Sequence, residues 1–176
     1  MISLKSIKIR RLPSLATLNY LSLYSKLKTQ PMPLSQSLAF YQQIETAAND
    51  AFAQARWHDA VMHYQQAINL NQQDADLHYR LAQSLYELDN FDNAILACQQ
   101  AIKLNAQFAN AHKLLGDLLL KTQKLSKANQ AYQKTLALNP DLALEIIDAY
   151  QAFANVLALA EKWIEAEQVY QLILQF

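Results

Sequence analysis

The sequence predicts an all-α protein built as an array of antiparallel helix pairs, and three observations lead there. The chain repeats itself: displaced by 34 residues, RWHDAVMHYQQAINLN (56–71) lies over NFDNAILACQQAIKLN (90–105), and by 34 more over KLSKANQAYQKTLALN (124–139). A fourth copy, KWIEAEQVYQLILQF (162–176), follows after 38. Within each copy the apolar residues recur at helical spacing. The chain also holds one glycine and four prolines, too few for a fold dominated by tight turns.

Each unit reads as two helices. Ile44, Ala47, Ala48 and Ala51 fall at i, i+3, i+4 and i+7 in the first half of unit one. His78, Leu81, Ala82 and Leu85 repeat that stripe, as do His112, Leu115, Gly116 and Leu119. The second halves carry Ala60, Tyr64 and Ala67 on one face. Short polar breaks such as Leu88-Asp89-Asn90 and Thr122-Gln123-Lys124 suffice to reverse the chain. Units close in Asn69-Leu70-Asn71, Asn105-Ala106 and Asn139-Pro140, the proline suiting the first turn of a following helix.

The columns of the repeat explain the packing. Small residues at Ala48, Ala82, Gly116 and Ala154, and at Ala60, Ala94, Ala128 and Ala166, let paired helices approach closely. Trp57, Phe91, Leu125 and Trp163 are expected to fill the space beside them. One thin pair cannot bury its apolar face alone, so the units must stack. The four extra residues before the last unit amount to ~1.1 helical turns. They preserve the apolar face, so Pro140 to about Ala160 reads as one lengthened first helix.

At these residues the chain resembles the tetratricopeptide repeat family: the small residue of the first helix, the aromatic before the second, the alanine within it and the 34-residue period. Only Pro140 keeps the family's closing proline, and Ile44, His78 and His112 stand where it has a large aromatic. The resemblance implies a right-handed superhelix, an α-solenoid of four units (41–74, 75–108, 109–142 and 147–176) within residues 35–176. It also implies a protein-binding scaffold or adaptor, not an enzyme, with a peptide or protein segment held in the concave groove. The alternative is the interaction arm of a larger enzyme such as a glycosyl-, sulfo- or methyltransferase.

In the family the groove is lined by the first helices. The corresponding residues are Asn49 and Phe52 in unit one, with Gln42, Glu45 and Ala53 beside them. Unit two supplies Asp76, Tyr79, Gln83, Tyr86 and Glu87, and unit three Lys113, Asp117 and Lys121 with Asn110 and Leu120. The last unit supplies Asp148, Gln151, Asn155, Ala158 and Leu159. Phe52, Tyr79 and Tyr86, with the amides of Asn49 and Gln83, are expected to carry most of the affinity, and Tyr79→Ala and Tyr86→Ala are expected to weaken binding at unchanged stability. Family members that clamp the carboxylate of chaperone tails use five Lys, Asn and Arg residues. Only Asn49 matches here, with Glu45, Arg80, Asn110 and Leu114 at the other places, which speaks against that ligand.

Other chemistries lack their residues. Phosphate-cradling glycine loops cannot be built from one glycine, and the single cysteine, Cys98, allows neither a disulfide nor a CxxC site. Cys98 occupies a tyrosine column and reads as core. His58 and His63 lie ~140° apart around a helix, and no cysteine pair or His-Glu cluster accompanies His78 and His112. No cofactor or metal is therefore expected. Nucleic acid is not expected either, because Glu45, Asp76, Glu87, Asp117 and Asp148 outnumber Lys113 and Lys121 in the groove.

Charge is uneven. Residues 1–44 hold six basic residues and no acid, whereas 45–176 carry a formal −6. Residues 1–34 therefore form a basic segment, read as a tail, a helix capping the first repeat, sequence upstream of a start at Met32, or a targeting peptide. Its leucines and serines resemble a mitochondrial presequence, the alternative to a cytoplasmic location. Pro13, Asn19 and several lysines argue against a membrane span in that segment. At the other end the columns His63/Ala97/Ala131 and Gln66/Gln100/Lys134 become Val169 and Leu172, beside Ile173, Leu174 and Phe176. This predicts an open apolar face on the last helix, an interface covered by a downstream segment or by a second copy in a homodimer.

Overall fold

The computed structural model describes residues 34–174, so the expectations for residues 1–33 and for Phe176 lie outside the described residues. Eight α-helices succeed one another: α1 (Leu34–Ala53), α2 (Trp57–Leu70), α3 (Ala75–Glu87), α4 (Phe91–Leu104), α5 (Ala109–Lys121), α6 (Leu125–Leu138), α7 (Ala143–Leu159) and α8 (Trp163–Ile173). A 3-10 turn, Pro140–Leu142, leads into α7. No strand occurs among the described residues. The chain divides into two units at Phe40–Tyr41, and the helix pairs lie in the second.

Helices pack as pairs, α3 with α4, α5 with α6 and α7 with α8. Then α2 packs on α3 and α4 on α5, while α6 meets the 3-10 turn before α7, and the first helices form a row, α3 beside α5 beside α7. This is an α-solenoid. Both small-residue columns are buried: Ala48, Ala82, Gly116 and Ala154 in the first helices, Ala60, Ala94, Ala128 and Ala166 in the second. Gly116 marks the tightest approach. A Cβ there would lie 2.6 Å from Cδ1 and 2.9 Å from Cζ of Tyr132.

The turns inside each pair are alike. Ala55, Asp89, Gln123 and Glu161 occupy one column and all have φ between 54° and 59°. After each, the next amide donates back five residues: Arg56 to Ala51, Asn90 to Leu85, Lys124 to Leu119 and Lys162 to Leu157. This is the Schellman closure, in which a left-handed residue satisfies carbonyls that the helix end leaves open. Between pairs, Asn71, Asn105 and Asn139 end the second helices in extended backbone. The Asn105 and Asn139 side chains then accept from the amides of Gln107 and Asp141, while Asp74 caps α3 by accepting from Asp76 and Leu77.

The last pair differs. At 17 residues α7 is four longer than α5, and the 38-residue offset holds throughout it, with Ile146, Tyr150, Ala154 and Leu157 buried. By length and composition Pro140–Leu159 could cross a membrane, with a mean hydropathy of 1.4, although its Ile146–Tyr150–Ala154–Leu157 stripe is core of the last pair. Two sequence expectations fail here. Trp163 does not fill the space beside the alanines but is 65% exposed. Val169, expected on an open face, is fully buried. Its column faces inward in units two and three as well, because Ala97 and Ala131 are also buried while His63 is half-buried, and alanine conceals which way a position faces.

Candidate functional site

The row of first helices carries the candidate site. Between α3, α5 and α7 lies a cavity of about 450 Å³. Tyr86 of α3 closes one side, while α5 contributes Lys113, Asp117, Leu120 and Lys121. The wall opposite is a stripe of α7, Glu145, Ala149, Ala152 and Val156, with Phe153 beside it. Gln123, in the turn after α5, completes the rim.

Charge is arranged across this cavity. The Lys113 ammonium donates to Asp117 Oδ2 at 3.3 Å and reaches Glu145 Oε2 of the next unit at 3.2 Å. Burial pulls its pKa down, but the two carboxylates outweigh that and hold it above the ordinary lysine value. Burial, with the nearby carboxylates of Asp117 and Glu87, pushes the Tyr86 phenol up. Tyr86 therefore stays protonated and able to donate.

Of the residues expected to line the groove, Tyr86, Lys113, Asp117, Leu120 and Lys121 meet in this cavity. Asn49, Phe52, Asp76, Tyr79, Gln83 and Glu87 do not line it. Several of these are held within the scaffold. Asn49 Oδ1 accepts from the Tyr64 hydroxyl at 2.8 Å, as Asp117 Oδ1 does from Tyr132 at 2.6 Å and Asn155 Oδ1 from Tyr170 at 2.8 Å. Each donor lies 15 residues after its acceptor. Unit two has Cys98 in the tyrosine column, and there Gln83 donates to Tyr79 instead, at 3.0 Å. In units one, three and four this column of the groove face thus ties the first helix to its own pair, whereas in unit two the bond stays within α3.

The aromatic residues are engaged as well. Phe52 meets Trp57 edge-on at 5.1 Å, Tyr86 meets Phe91 at 5.9 Å, and Tyr79 lies 4.9 Å from Phe108 at the entry to α5. Truncating Tyr79 therefore removes a contact between units, contrary to the expectation that it could be lost without effect on stability. Asp76 pairs with Arg80 at 2.6 Å, and Glu87 is exposed.

The sequence missed the whole α7 wall. It assigned Asp148, Gln151, Asn155, Ala158 and Leu159 to the groove, all of which flank the cavity lining. The wall is the flank turned toward α5, at i, i+4, i+7 and i+11 from Glu145. That spacing was the available signal.

The remaining reactive groups are occupied or shielded. Burial lifts the Cys98 thiol to about 12, which suppresses the nucleophilic thiolate. His78 Nε2 donates to the Gln72 carbonyl at 3.4 Å and His112 Nε2 to that of Ala106 at 3.2 Å. No group of three or more His, Cys, Asp or Glu suited to a metal ion occurs among the described residues.

A TPR repeat family model matches residues 48–89 and a tetratricopeptide repeat model residues 80–154. No curated protein sequence matches the chain. Among solved structures it is similar to the first TPR of Spaghetti (RPAP3) bound to an HSP90 peptide, at 24% identity and TM-score 0.59, over 65% of this chain and 93% of that one. The TPR domain of Arabidopsis OM64 gives 23% and 0.58 over 60% and 87%, and MamA 24% and 0.57 over 89% and 85%. At these identities the likeness is one of fold.

Proposed function

Because the chain belongs to the tetratricopeptide repeat family, we propose that it is a protein-interaction scaffold whose first-helix row takes a peptide or protein segment of a partner. The observation that carries this reading is the cavity of about 450 Å³ opening on that row, within the size range of pockets that hold ligands. A mixed lining of apolar, aromatic and paired polar groups suits a peptide, whose backbone needs partners and whose side chains need burial.

One solved neighbour of this fold is bound to an HSP90 peptide, but the residues here favour another ligand. Of the places that grip a terminal carboxylate in that branch of the family, only Asn49 matches, and Arg80 is neutralised by Asp76. Glu45 and Leu114 repel or ignore an anion. The test is direct binding of a random displayed-peptide library to the full chain, with Tyr86→Ala and Lys113→Ala as groove variants. Selected peptides that bind wild type and both variants equally would place the site elsewhere.

A second surface is favoured by comparing columns. Leu118 and Tyr132 are fully buried where the next unit covers them, whereas Val156 and Tyr170, in the same columns, are 62% and 39% exposed. Leu174 is 78% exposed, where Ile68, Ile102 and Leu136 of the same column are half-buried. This face continues the stacking interface of the array, so its fitting occupant is another helix pair of the same kind. We infer that a second copy of the chain supplies it, each last pair serving as the other's next repeat.

A further inference from the structure

We propose that the cavity between α3, α5 and α7 is an anchor pocket for one large apolar side chain, and that the partner peptide carries a carboxylate beside that anchor. The proposal rests on the groove reading above and narrows its ligand. Two alanines of α7 create the space. Ala152 stands in the column of Thr46, Arg80 and Leu114, so a long side chain is missing where the two preceding units have one. Ala149 lies a turn before it on the same wall, and Phe153, Val156 and the Tyr86 ring supply apolar surface around the gap. Filled with solvent, about 450 Å³ would hold roughly 15 waters at about 30 Å³ each. Those against alanine, phenylalanine and valine find no hydrogen-bond partner in the wall, so an apolar group that displaces them is favoured.

The charges assign the flank. At one end a single ammonium, Lys113, is shared between Asp117 and Glu145, which leaves that end with excess negative charge. Lys121 lies eight residues further along α5, about 12 Å at the helical rise. No carboxylate is within salt-bridge distance of it among the described residues. It is exposed, on the rim and uncompensated. A peptide seated by its apolar residue therefore gains from placing an acidic residue toward Lys121, and a basic one there would be disfavoured. An arrangement with opposite ends of opposite sign also sets the direction of the bound segment.

The experiment pans a random displayed-peptide library on the full chain, then measures dye-labelled selected peptides by fluorescence anisotropy. The expected consensus is one Trp, Phe, Leu or Met with Asp or Glu within two or three residues. Replacing that anchor by Ala in the peptide should weaken binding at least tenfold, as loss of a central anchor does. Ala152→Trp should do the same by filling the pocket, and because Ala152 is exposed on its helix the variant should keep wild-type circular dichroism. Lys121→Glu should weaken acidic peptides by about three- to tenfold and select basic ones in their place. If Ala152→Trp unfolds, the anchor replacement in the peptide alone decides the matter. Peptides that are lost on Lys113→Ala or Tyr86→Ala but lack an apolar anchor, or ignore Ala152→Trp, would overturn the pocket and leave the groove reading standing. A library that yields no binder would overturn both.

Discussion

Substituting the chain's single glycine tests the packing argument most sharply, because two effects of known sign oppose each other there. Gly116 lies inside α5, where glycine is less favourable than alanine by about 1 kcal/mol, so propensity alone predicts that Gly116→Ala stabilises. The structure predicts the reverse. A new Cβ would meet the Tyr132 ring at 2.6 Å and 2.9 Å, and closer still at Cε1. That ring cannot swing aside freely. Its hydroxyl is tied to Asp117 at 2.6 Å, and the Tyr150 ring stands edge-on against it at 5.1 Å. Overpacking a fixed core contact costs about 1–3 kcal/mol, which leaves a net loss of up to about 2 kcal/mol after the propensity gain.

Units one and four show what makes the difference. Ala48 coexists with Tyr64 and Ala154 with Tyr170, so alanine opposite tyrosine is not forbidden in this repeat. Unit three alone has a second tyrosine, Tyr150 of the following unit, behind the ring. Replacing it by the histidine found in that column at units two and three should therefore relieve the clash. In urea unfolding followed by circular dichroism, Gly116→Ala should be less stable than wild type by up to about 2 kcal/mol. In the Tyr150→His background the same change should be neutral or stabilising, a coupling of at least about 1 kcal/mol. A stabilised Gly116→Ala single variant would refute the reasoning, and a loss unchanged by Tyr150→His would refute Tyr150's part in it.

Three further predictions are simpler. Ala55 and Glu161 hold φ near 54° and 59°, where a side chain is strained, so Ala55→Gly and Glu161→Gly should each raise stability by about 0.5–1 kcal/mol; no gain in thermal or urea unfolding would contradict the turn assignment. Burial raises the Cys98 thiol to about 12, so its neutral form is favoured in the folded state, and the stability present below the unfolded value near 9 is lost as pH rises toward 12. Between about pH 8 and pH 10.5 wild type should lose about 2 kcal/mol more than Cys98→Ala, and native Cys98 should resist thiol reagents at pH 8; prompt labelling of folded protein would contradict its burial. Light scattering should report a dimer that Tyr170→Lys with Leu174→Lys converts to monomer, and a wild-type monomer would exclude the second copy.

Fold and site were not equally legible, and alanine accounts for much of the difference. The periodicity could be read because every unit repeats the test: Ala60, Ala94, Ala128 and Ala166 agree on one face, and the 38-residue offset of the last copy foretold a longer α7. The left-handed turns could not be read, since Ala55, Asp89, Gln123 and Glu161 carry no glycine signal and the one glycine is spent on a helix contact. At the site, residue types marked the groove column but not its bonds. The column of Asn49, Asp117 and Asn155 and that of Tyr64, Tyr132 and Tyr170 were each visible, and the hydroxyl joining them across 15 residues was not. The same blindness hid the burial of Val169 behind Ala97 and Ala131, and the cavity behind Ala149 and Ala152. A sequence displays the groups that are present, whereas a pocket is made by groups that are missing. The columns can supply that information if they are compared by size. Arg80, Leu114 and Ala152 then read as a wall that thins at the last unit, beside a lysine that nothing neutralises.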